Sequence, residues 1–151
     1  MLAVLFSIGD DRYALPAAEV FEITPVLKLK KIPVVPDYVA GLCNFRGMSI
    51  PVLDLSALAL GVPCQLLLST RMIVVNYILD SGGVKPLGLL AEHATQTATI
   101  READLQSPGI QADNAPWLGK VAIGSGELVQ LVEVDELLTP EVVAMLFREG
   151  Q

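Results

Sequence analysis

The sequence predicts a mainly β fold, in which 151 residues form a single domain, 1–151, built from two copies of one strand-rich unit. Short runs of β-branched and aromatic residues alternate with turn residues along most of the chain. Helical patterning is scarce, and two segments align with each other as an internal repeat. Five or so short strands per copy favour a small closed barrel, because closure removes exposed strand edges.

Strands are predicted wherever an apolar run is bounded by turn residues. A turn at residues 9–11 separates the first two strands, and Arg46-Gly47 is predicted as a hairpin tip. Residues 33–36 form a rigid connector because prolines flank the two valines. In chain order, the predicted strands cover residues 3–8, 12–15, 19–24, 39–45, 48–54, 72–77, 85–92, 93–100, 117–123 and 128–134.

The internal repeat links two predicted hairpins. Residues 41–45 and 50–58 align with residues 119–123 and 129–137, with one extra residue at the second hairpin tip. Upstream of each hairpin the similarity is one of pattern rather than identity. The repeat therefore implies two similar units within one domain.

One helix is predicted at the C-terminal end. Thr139 is a suitable N-cap and Pro140 suits the first helical position. Val142 with Leu146, and Val143 with Phe147, form an apolar stripe. This stripe either packs on the body of the domain or contacts a partner.

Composition and charge exclude several classes of function. Hydrophobic residues make up 52% of the chain, which excludes disorder and leaves apolar surface for interfaces. The net charge of −7, with one basic cluster at Lys28, Lys30 and Lys31, argues against a nucleic-acid partner. The uncharged stretch at residues 55–70 is too short and too polar to span a membrane, and residues 2–8 lack the features of a signal peptide. A cytoplasmic protein without membrane insertion is expected.

Few residues are suited to catalysis or to metal binding, so no cofactor is expected. His93 is the only histidine and is interpreted as a half-exposed strand residue, and most carboxylates fall at turns or strand ends. The glycines at residues 124–126 fit a hairpin turn better than a dinucleotide loop. Cys43 and Cys64 are predicted to be buried thiols.

An ordered set of motifs resembles the CheW-like family. The motifs are Phe-Ser-Ile-Gly-Asp-Asp-Arg-Tyr-Ala-Leu-Pro at 6–16, Val-Phe-Glu-Ile at 20–23, Ile-Pro-Val-Val-Pro at 32–36, Val-Ala-Gly-Leu-Cys-Asn-Phe-Arg-Gly at 39–47 and Ile-Pro-Val-Leu-Asp-Leu at 50–55. The match is strong over residues 4–60 and looser beyond them. The resemblance implies two intertwined five-stranded barrels and a stand-alone, non-catalytic adaptor.

Members of that family couple the cytoplasmic tip of methyl-accepting chemoreceptors to the regulatory domain of a CheA-type histidine kinase. By this resemblance the chain works in a chemosensory pathway, in the cytoplasm, next to receptor arrays at the inner membrane. Where many relatives carry Val-Asp, this chain has Ala91-Glu92, so its choice of partner is expected to differ from that of standard chemotaxis.

The resemblance also implies the binding residues. Val20, Glu22 and Ile23 correspond to a receptor-facing groove, with Val20 and Glu22 expected on one strand face and Ile23 on the other. Residues of the Gly-x-x-Asn-x-Arg-Gly block correspond to positions near that groove or at the kinase contact: Gly41, Asn44, Arg46 and Gly47.

Other interpretations of these residues and of the whole chain stay open. Glu22 is alternatively only solvated, and Arg46 alternatively pins its own loop. Two different functions also remain as alternatives. One is a small-molecule or catalytic barrel with a pocket between the units near His93. The other is a self-assembling scaffold that uses the excess apolar surface.

Overall fold

The computed structural model of the protein describes residues 1–110, 112–124 and 126–147. Within them lie nine strands and two α-helices. The strands are β1 (Leu2–Ile8), β2 (Asp11–Pro16), β3 (Val20–Pro25), β4 (Val39–Phe45), β5 (Met48–Asp54), β6 (Arg71–Ile78), β7 (Val84–Thr99), β8 (Leu118–Gly124) and β9 (Glu127–Val132), and the helices are α1 (Leu55–Leu60) and α2 (Pro140–Leu146).

The mainly β prediction is confirmed, with two differences in the elements. Residues 84–99 form one long strand, whose two halves pair in two different sheets and meet at an irregularity in the pairing with β1. The short helix α1 was not predicted. It begins after Asp54, whose Oδ1 accepts the Ala57 N–H at 3.1 Å, and it ends at Gly61 in the left-handed conformation (φ 71°).

Two five-stranded sheets share the long strand β7. In sheet A the strand order is β8, β9, β2, β1 and the second half of β7. In sheet B the order is β4, β5, the first half of β7, β6 and β3. Neither sheet is contiguous in sequence.

The two sheets are interlocked by an exchange of strands between the repeated units. Sheet A combines β1 and β2 of the N-terminal unit with the second half of β7, β8 and β9 of the C-terminal unit. Sheet B combines β3, β4 and β5 of the N-terminal unit with β6 and the first half of β7 of the C-terminal unit. The hairpins β4–β5 and β8–β9 occupy corresponding places, since β5 pairs in parallel with β7 and β9 pairs in parallel with β2. The predicted doubling is therefore an interlocked pair, and neither unit completes a sheet on its own.

One backbone bridge connects the edges of each sheet, which is consistent with the barrels that the resemblance implied. The loop after β3 joins β4 through a backbone bridge between Lys30 and Leu42, and a similar bridge joins Gln106 to Val121 beside β8. The strand pairings are consistent with two small barrels. Complete closure by a continuous ladder stays a prediction.

The core has three parts that follow from this arrangement. Ile73 and Val75 of β6 pack in the large cluster between the sheets, while Met72 and Val74 face the interior of sheet B. The prediction that this strand is buried on both faces is confirmed. A smaller cluster, which includes Ala3, fills the interior of sheet A.

The predicted C-terminal helix is confirmed as α2. Thr139 Oγ1 accepts the Val142 N–H at 3.3 Å, as an N-cap residue does. Phe147 after the helix stacks on Tyr77 with ring centroids 5.6 Å apart, so the apolar stripe docks on the core. Among the described helices, none is long and apolar enough to cross a membrane.

Candidate partner-binding site

The strand β3 lies at an edge of sheet B and contains three of the predicted site residues. The pairing with β6 shifts between Val20 and Glu22, so Val20 lies opposite Val75 while Glu22 lies opposite Val74. Phe21 is the extra residue of this bulge. Ile23 follows in register opposite Ile73.

This bulge corrects the predicted faces of the strand. Residues paired across two strands share one side of a sheet, so Val20 and Ile23 lie on the side of the inter-sheet core. Glu22 lies on the other side, towards the interior of sheet B. The expectation that Val20 and Glu22 share one face is wrong, because simple alternation fails at a bulge.

Two large apolar side chains of β3 face solvent. Phe21 is 56% exposed and Ile23 is 39% exposed. An edge strand that presents unpaired backbone groups beside exposed apolar side chains is a ready surface for another protein. The strand therefore combines an apolar contact area with the carboxylate of Glu22.

The tip of the β4–β5 hairpin contains three further predicted site residues. Arg46 and Gly47 both have positive φ angles, 53° and 87°, which are typical of the tight turns that join paired strands. Asn44 Oδ1 accepts the Gly47 N–H at 2.7 Å and holds the turn. The predicted tip is confirmed, and its conformation is fixed by Asn44.

Glu22 and Arg46 form an ion pair between β3 and this tip. The Arg46 side chain is 64% exposed, and its guanidinium carbon lies 5.2 Å from the centre of the Phe45 ring. Phe21 meets Phe45 edge to face, with ring centroids 6.0 Å apart. Salt bridge, cation–π contact and aromatic pair thus join into one cluster, which we call the edge cluster: Phe21, Glu22, Asn44, Phe45, Arg46 and Gly47.

The structure bears on the two alternatives left open for Glu22 and Arg46. Glu22 is paired with Arg46 rather than only solvated. Arg46 ties the tip to β3 rather than only to its own turn, while most of its side chain remains open to solvent. Both side chains are consequently preorganised at the surface.

Gly41 has a structural reason of its own to be glycine. Its φ angle is 147°, and a Cβ built there would lie 2.5 Å from the carbonyl oxygen of Lys30. This close approach lets the segment around Lys30 hydrogen-bond to β4. Gly41 therefore supports the hairpin from behind and is not part of the edge cluster.

A small groove runs where sheets A and B meet beside β3. Its volume is about 290 Å³. The residues that line it come from β1, β3, β6 and β7: Val4, Ile23, Arg71, Ala94, Thr95, Gln96 and Thr97. Ile23 thus faces a cleft between the two sheets, away from the edge cluster.

His93 lies outside this groove, at the point where β7 passes from sheet B to sheet A. It is exposed and has a positive φ angle of 51°, and its backbone carbonyl accepts a hydrogen bond from Arg12 at 3.5 Å. The half-exposed strand interpretation underestimated its exposure, because the pairing of β7 with β1 is irregular here. Within the described part of the chain, no three His, Cys, Asp or Glu side chains are grouped as metal ligands.

Both thiols are free, and their burial differs. Cys43 is buried, as predicted, and burial raises the pKa of its thiol. Cys64 is only partly buried, so the prediction for it was too strong. Burial, followed by the negative charge of Asp54, raises the pKa of the Cys64 thiol to about 12. Both thiols therefore stay protonated at neutral pH.

Glu19 lies in an unusual environment for a carboxylate. Burial raises the pKa of Glu19, and the nearby charges of Asp135 and Glu133 raise it further. Glu19 is far in the sequence from Glu133 and Asp135, and it meets them because β2 and β9 are neighbours. Sequence reasoning had no signal for this proximity.

Sequence reasoning also missed the two aromatic rings of the edge cluster. Phe21 and Phe45 were expected only as strand residues. A large aromatic residue directly beside Glu22 on a predicted edge strand is the signal that was available. Its exposure follows from the bulge, which the sequence does not reveal.

These features define the class of protein. Two interlocked five-stranded sheets present a preorganised, charged and aromatic edge together with an adjacent cleft, which is the arrangement of a protein-interaction domain.

Comparison with known proteins identifies the family. The family model described as "CheW-like domain" matches residues 2–141. The chain therefore belongs to the CheW-like family, and it is a chemosensory adaptor of the CheW type.

Individual relatives agree along most of the chain. The chemotaxis protein CheW of Helicobacter pylori is 27% identical over 135 residues, covering 88% of this chain and 78% of the relative. The protein FrzA of Myxococcus xanthus is 29% identical over 136 residues, covering 88% and 82%. The crystal structure of the scaffolding protein TtCheW from Thermoanaerobacter tengcongensis superposes with a TM-score of 0.80 at 24% identity, covering 91% of this chain and 87% of that chain.

Proposed function

We propose that this chain couples the cytoplasmic tip of methyl-accepting chemoreceptors to the regulatory domain of a CheA-type histidine kinase, without catalysing a reaction itself. The observation that carries the proposal is the edge cluster, in which exposed aromatic and charged groups are held in place by one another. Relatives named as chemotaxis proteins support the pathway. Work in the cytoplasm beside receptor arrays is part of the same proposal.

The receptor contact is assigned to the cleft side of β3. Val20 and Ile23 share that side, and Ile23 lines the groove between the sheets. The apolar part of the groove, formed by Val4, Ile23 and Ala94, suits the apolar face of an amphipathic helix, which is the form in which a receptor hairpin presents itself. Threonine side chains at 95 and 97 on the opposite wall offer hydroxyl groups for polar contacts at its rim.

The kinase contact is assigned to the edge cluster. Arg46 carries five N–H donors, part of which remain open beyond the pair with Glu22. Phe21 offers a ring beside them that is already oriented by Phe45. Aromatic and arginine side chains held in place before binding are the residues that most often dominate binding energy.

Both contacts are expected to be small. Transient signalling interfaces bury on the order of 1,000 Å² in total. An adaptor of this size transmits a signal only when its contacts differ between the signalling states of its partners. Two separate surfaces allow one domain to contact a receptor and a kinase at the same time.

The experiment is a pull-down with purified receptor tip and kinase regulatory domain as separate baits. Ile23→Glu should abolish retention by the receptor tip, and Arg46→Glu should abolish retention by the kinase domain. Ile123→Glu is the control, since Ile123 is an exposed isoleucine on a strand of sheet A. Circular dichroism should show an unchanged folded fraction for all three variants.

The outcomes separate the parts of the proposal. If one of the two variants fails to bind both baits while the other variant binds both normally, a single surface serves both partners. Retention of both baits by Ile23→Glu and Arg46→Glu would reject the assigned surfaces. Failure of the unmodified protein to retain either bait would reject the coupling function.

A further inference from the structure

A second surface lies along the β4–β5 hairpin beside the edge cluster, with which it shares Asn44 and Gly47. It is a groove of about 750 Å³ between the hairpin and the segment that follows β3. The residues that line it are Lys28, Leu29, Lys30, Leu42, Cys43, Asn44, Gly47, Met48 and Ser49. The coupling function proposed above makes no use of its two lysines.

The groove is positively charged in an acidic protein. Lys28 and Lys30 line it and Lys31 follows directly, whereas the whole chain has a net charge of −7. All three lysines are exposed, and none of them forms an ion pair with another described residue. Their charge is therefore available to an external carboxylate.

The floor of the groove is apolar. Leu29 and Leu42 are half-buried there, and Met48 is 48% exposed. A methionine at a binding surface adapts to different apolar side chains because it is unbranched and flexible. A ligand that fits must consequently carry apolar as well as negatively charged groups.

The wall that carries the lysines is rigid. The Lys30 N–H donates to the Leu42 carbonyl oxygen at 2.8 Å, and the Leu42 N–H donates to the Lys30 carbonyl oxygen at 2.8 Å. Gly41 makes this approach feasible, since a side chain there would collide with Lys30. The backbone at Lys30 is therefore held against β4 at the rim before any partner binds.

We propose that this groove binds an acidic, extended segment of a partner protein, with apolar side chains on Leu29, Leu42 and Met48 and carboxylates at Lys28 and Lys30. We choose an acidic occupant on the ground of charge complementarity, because the basic rim of the groove belongs to a chain in which acidic residues otherwise predominate. An anionic membrane or a nucleic acid is disfavoured, since the net negative charge of the protein opposes a large polyanionic surface. The partner class is thus an acidic peptide segment with interspersed aliphatic residues.

The test uses a fluorescein-labelled synthetic peptide of alternating glutamate and leucine, titrated with the full chain at low and moderate salt. Saturable binding that weakens with salt is expected for the unmodified protein. The double variant Lys28→Glu with Lys30→Glu should lose roughly tenfold or more in affinity. The control, Lys85→Glu with Lys120→Glu, changes the net charge by the same amount and should bind normally, because neither residue lines the groove.

Chemical-shift changes should fall on Leu42 and Met48 in the same titration. The proposal is overturned if the peptide does not bind, if the two double variants bind equally, or if the shifts fall elsewhere. Binding to vesicles containing phosphatidylglycerol or to duplex DNA, but not to the peptide, would also overturn it in favour of a general anionic surface. An increase in molecular mass with protein concentration that is lost in the Lys28→Glu, Lys30→Glu variant would instead identify a second copy of this chain as the occupant. That result would contradict the proposal that a different protein binds the groove. No receptor or kinase enters the test, so its result is independent of the coupling proposal.

Discussion

Glu22 and Arg46 lie 24 positions apart in the sequence and form an ion pair. Glu22 lies on β3, an edge strand of sheet B, and Arg46 lies in the turn that follows β4, the other edge strand. The pair joins the two edges of a sheet that otherwise meet through side-chain contacts such as Phe21 with Phe45. It lies at the surface and is largely open on the arginine side. The same contact therefore shapes the sheet and presents a charge to a partner.

Exchange of the two charges separates these roles. In the double variant Glu22→Arg with Arg46→Glu the ion pair is restored with reversed polarity, so unfolding by urea should differ from that of the unmodified protein by less than about 1 kcal/mol. Binding to the kinase domain should nevertheless fall at least as far as in Arg46→Glu alone. Isothermal titration calorimetry measures the affinity.

A second exposed ion pair in the chain provides the control. Arg101 Nε and Asp104 Oδ2 lie 3.0 Å apart at the protein surface, beside sheet A. Exchange of their charges should change neither stability nor binding. Recovery of full binding by the Glu22 and Arg46 exchange would show that the pair only holds the sheet.

The exposed ring of Phe21 is predicted to bind a partner more than to hold the fold. Phe21→Ser removes a ring that is 56% exposed, so the free energy of unfolding should fall by about 1 kcal/mol or less, mainly from the lost contact with Phe45. Affinity for the kinase domain should fall by tenfold or more, as for an aromatic anchor. Surface plasmon resonance and urea unfolding measure the two effects.

Leu128→Ser is the matched control for this variant. Leu128 is also 56% exposed but lies on β9 in sheet A, away from both proposed contacts. It should bind both partners normally. A loss of stability in Phe21→Ser large enough to account for the lost binding would contradict the proposed role of the ring.

Much of the fold was predictable because its signals are local. Turn glycines, β-branched runs and the Thr139-Pro140 cap each act within a few residues, and the elements built on them were found close to their predicted positions. The hairpin repeat was also visible, since the two copies retain similar patterns. The exchange of strands between the units was implied only by the family resemblance.

The candidate site was predictable only in part, because its geometry depends on pairings between distant strands. The seven residues taken from the resemblance include four members of the edge cluster, Glu22, Asn44, Arg46 and Gly47. The bulge at Phe21 arises from the register with β6, and no residue nearby encodes it. The basic groove likewise depends on the close approach of Lys30 to β4.

Gly41 and Gly47 are predicted to differ in their tolerance of alanine. Gly41→Ala places a Cβ 2.5 Å from the Lys30 carbonyl oxygen and should destabilise the protein by about 2 kcal/mol or more, since the backbone must move. Gly47→Ala has open space around it and a φ angle of 87°, so only conformational strain of about 1 kcal/mol is expected. Equal losses in urea unfolding would show that the contact with Lys30 is not restrictive.

Glu19 is predicted to destabilise the protein at neutral pH. Burial and the charges of Asp135 and Glu133 raise the pKa of Glu19 in the folded state above its ordinary value of 4.5. Between 4.5 and the raised pKa, the folded state binds more protons at this site than the unfolded state does. The stability contributed by this group is therefore fully present below pH 4.5 and is lost as the pH rises through the raised pKa.

Glu19→Gln should remove this loss. The variant should be more stable than the unmodified protein at pH 7, and the difference should shrink as the pH is lowered towards 4.5, because Glu19 then becomes neutral as well. Thermal unfolding at a series of pH values measures it. Glu102→Gln is the control, since Glu102 is an exposed glutamate in a similar short 3-10 turn. A variant that is less stable than the unmodified protein at pH 7 would mean that the Glu19 carboxylate is stabilised by its surroundings, against the direction of its raised pKa.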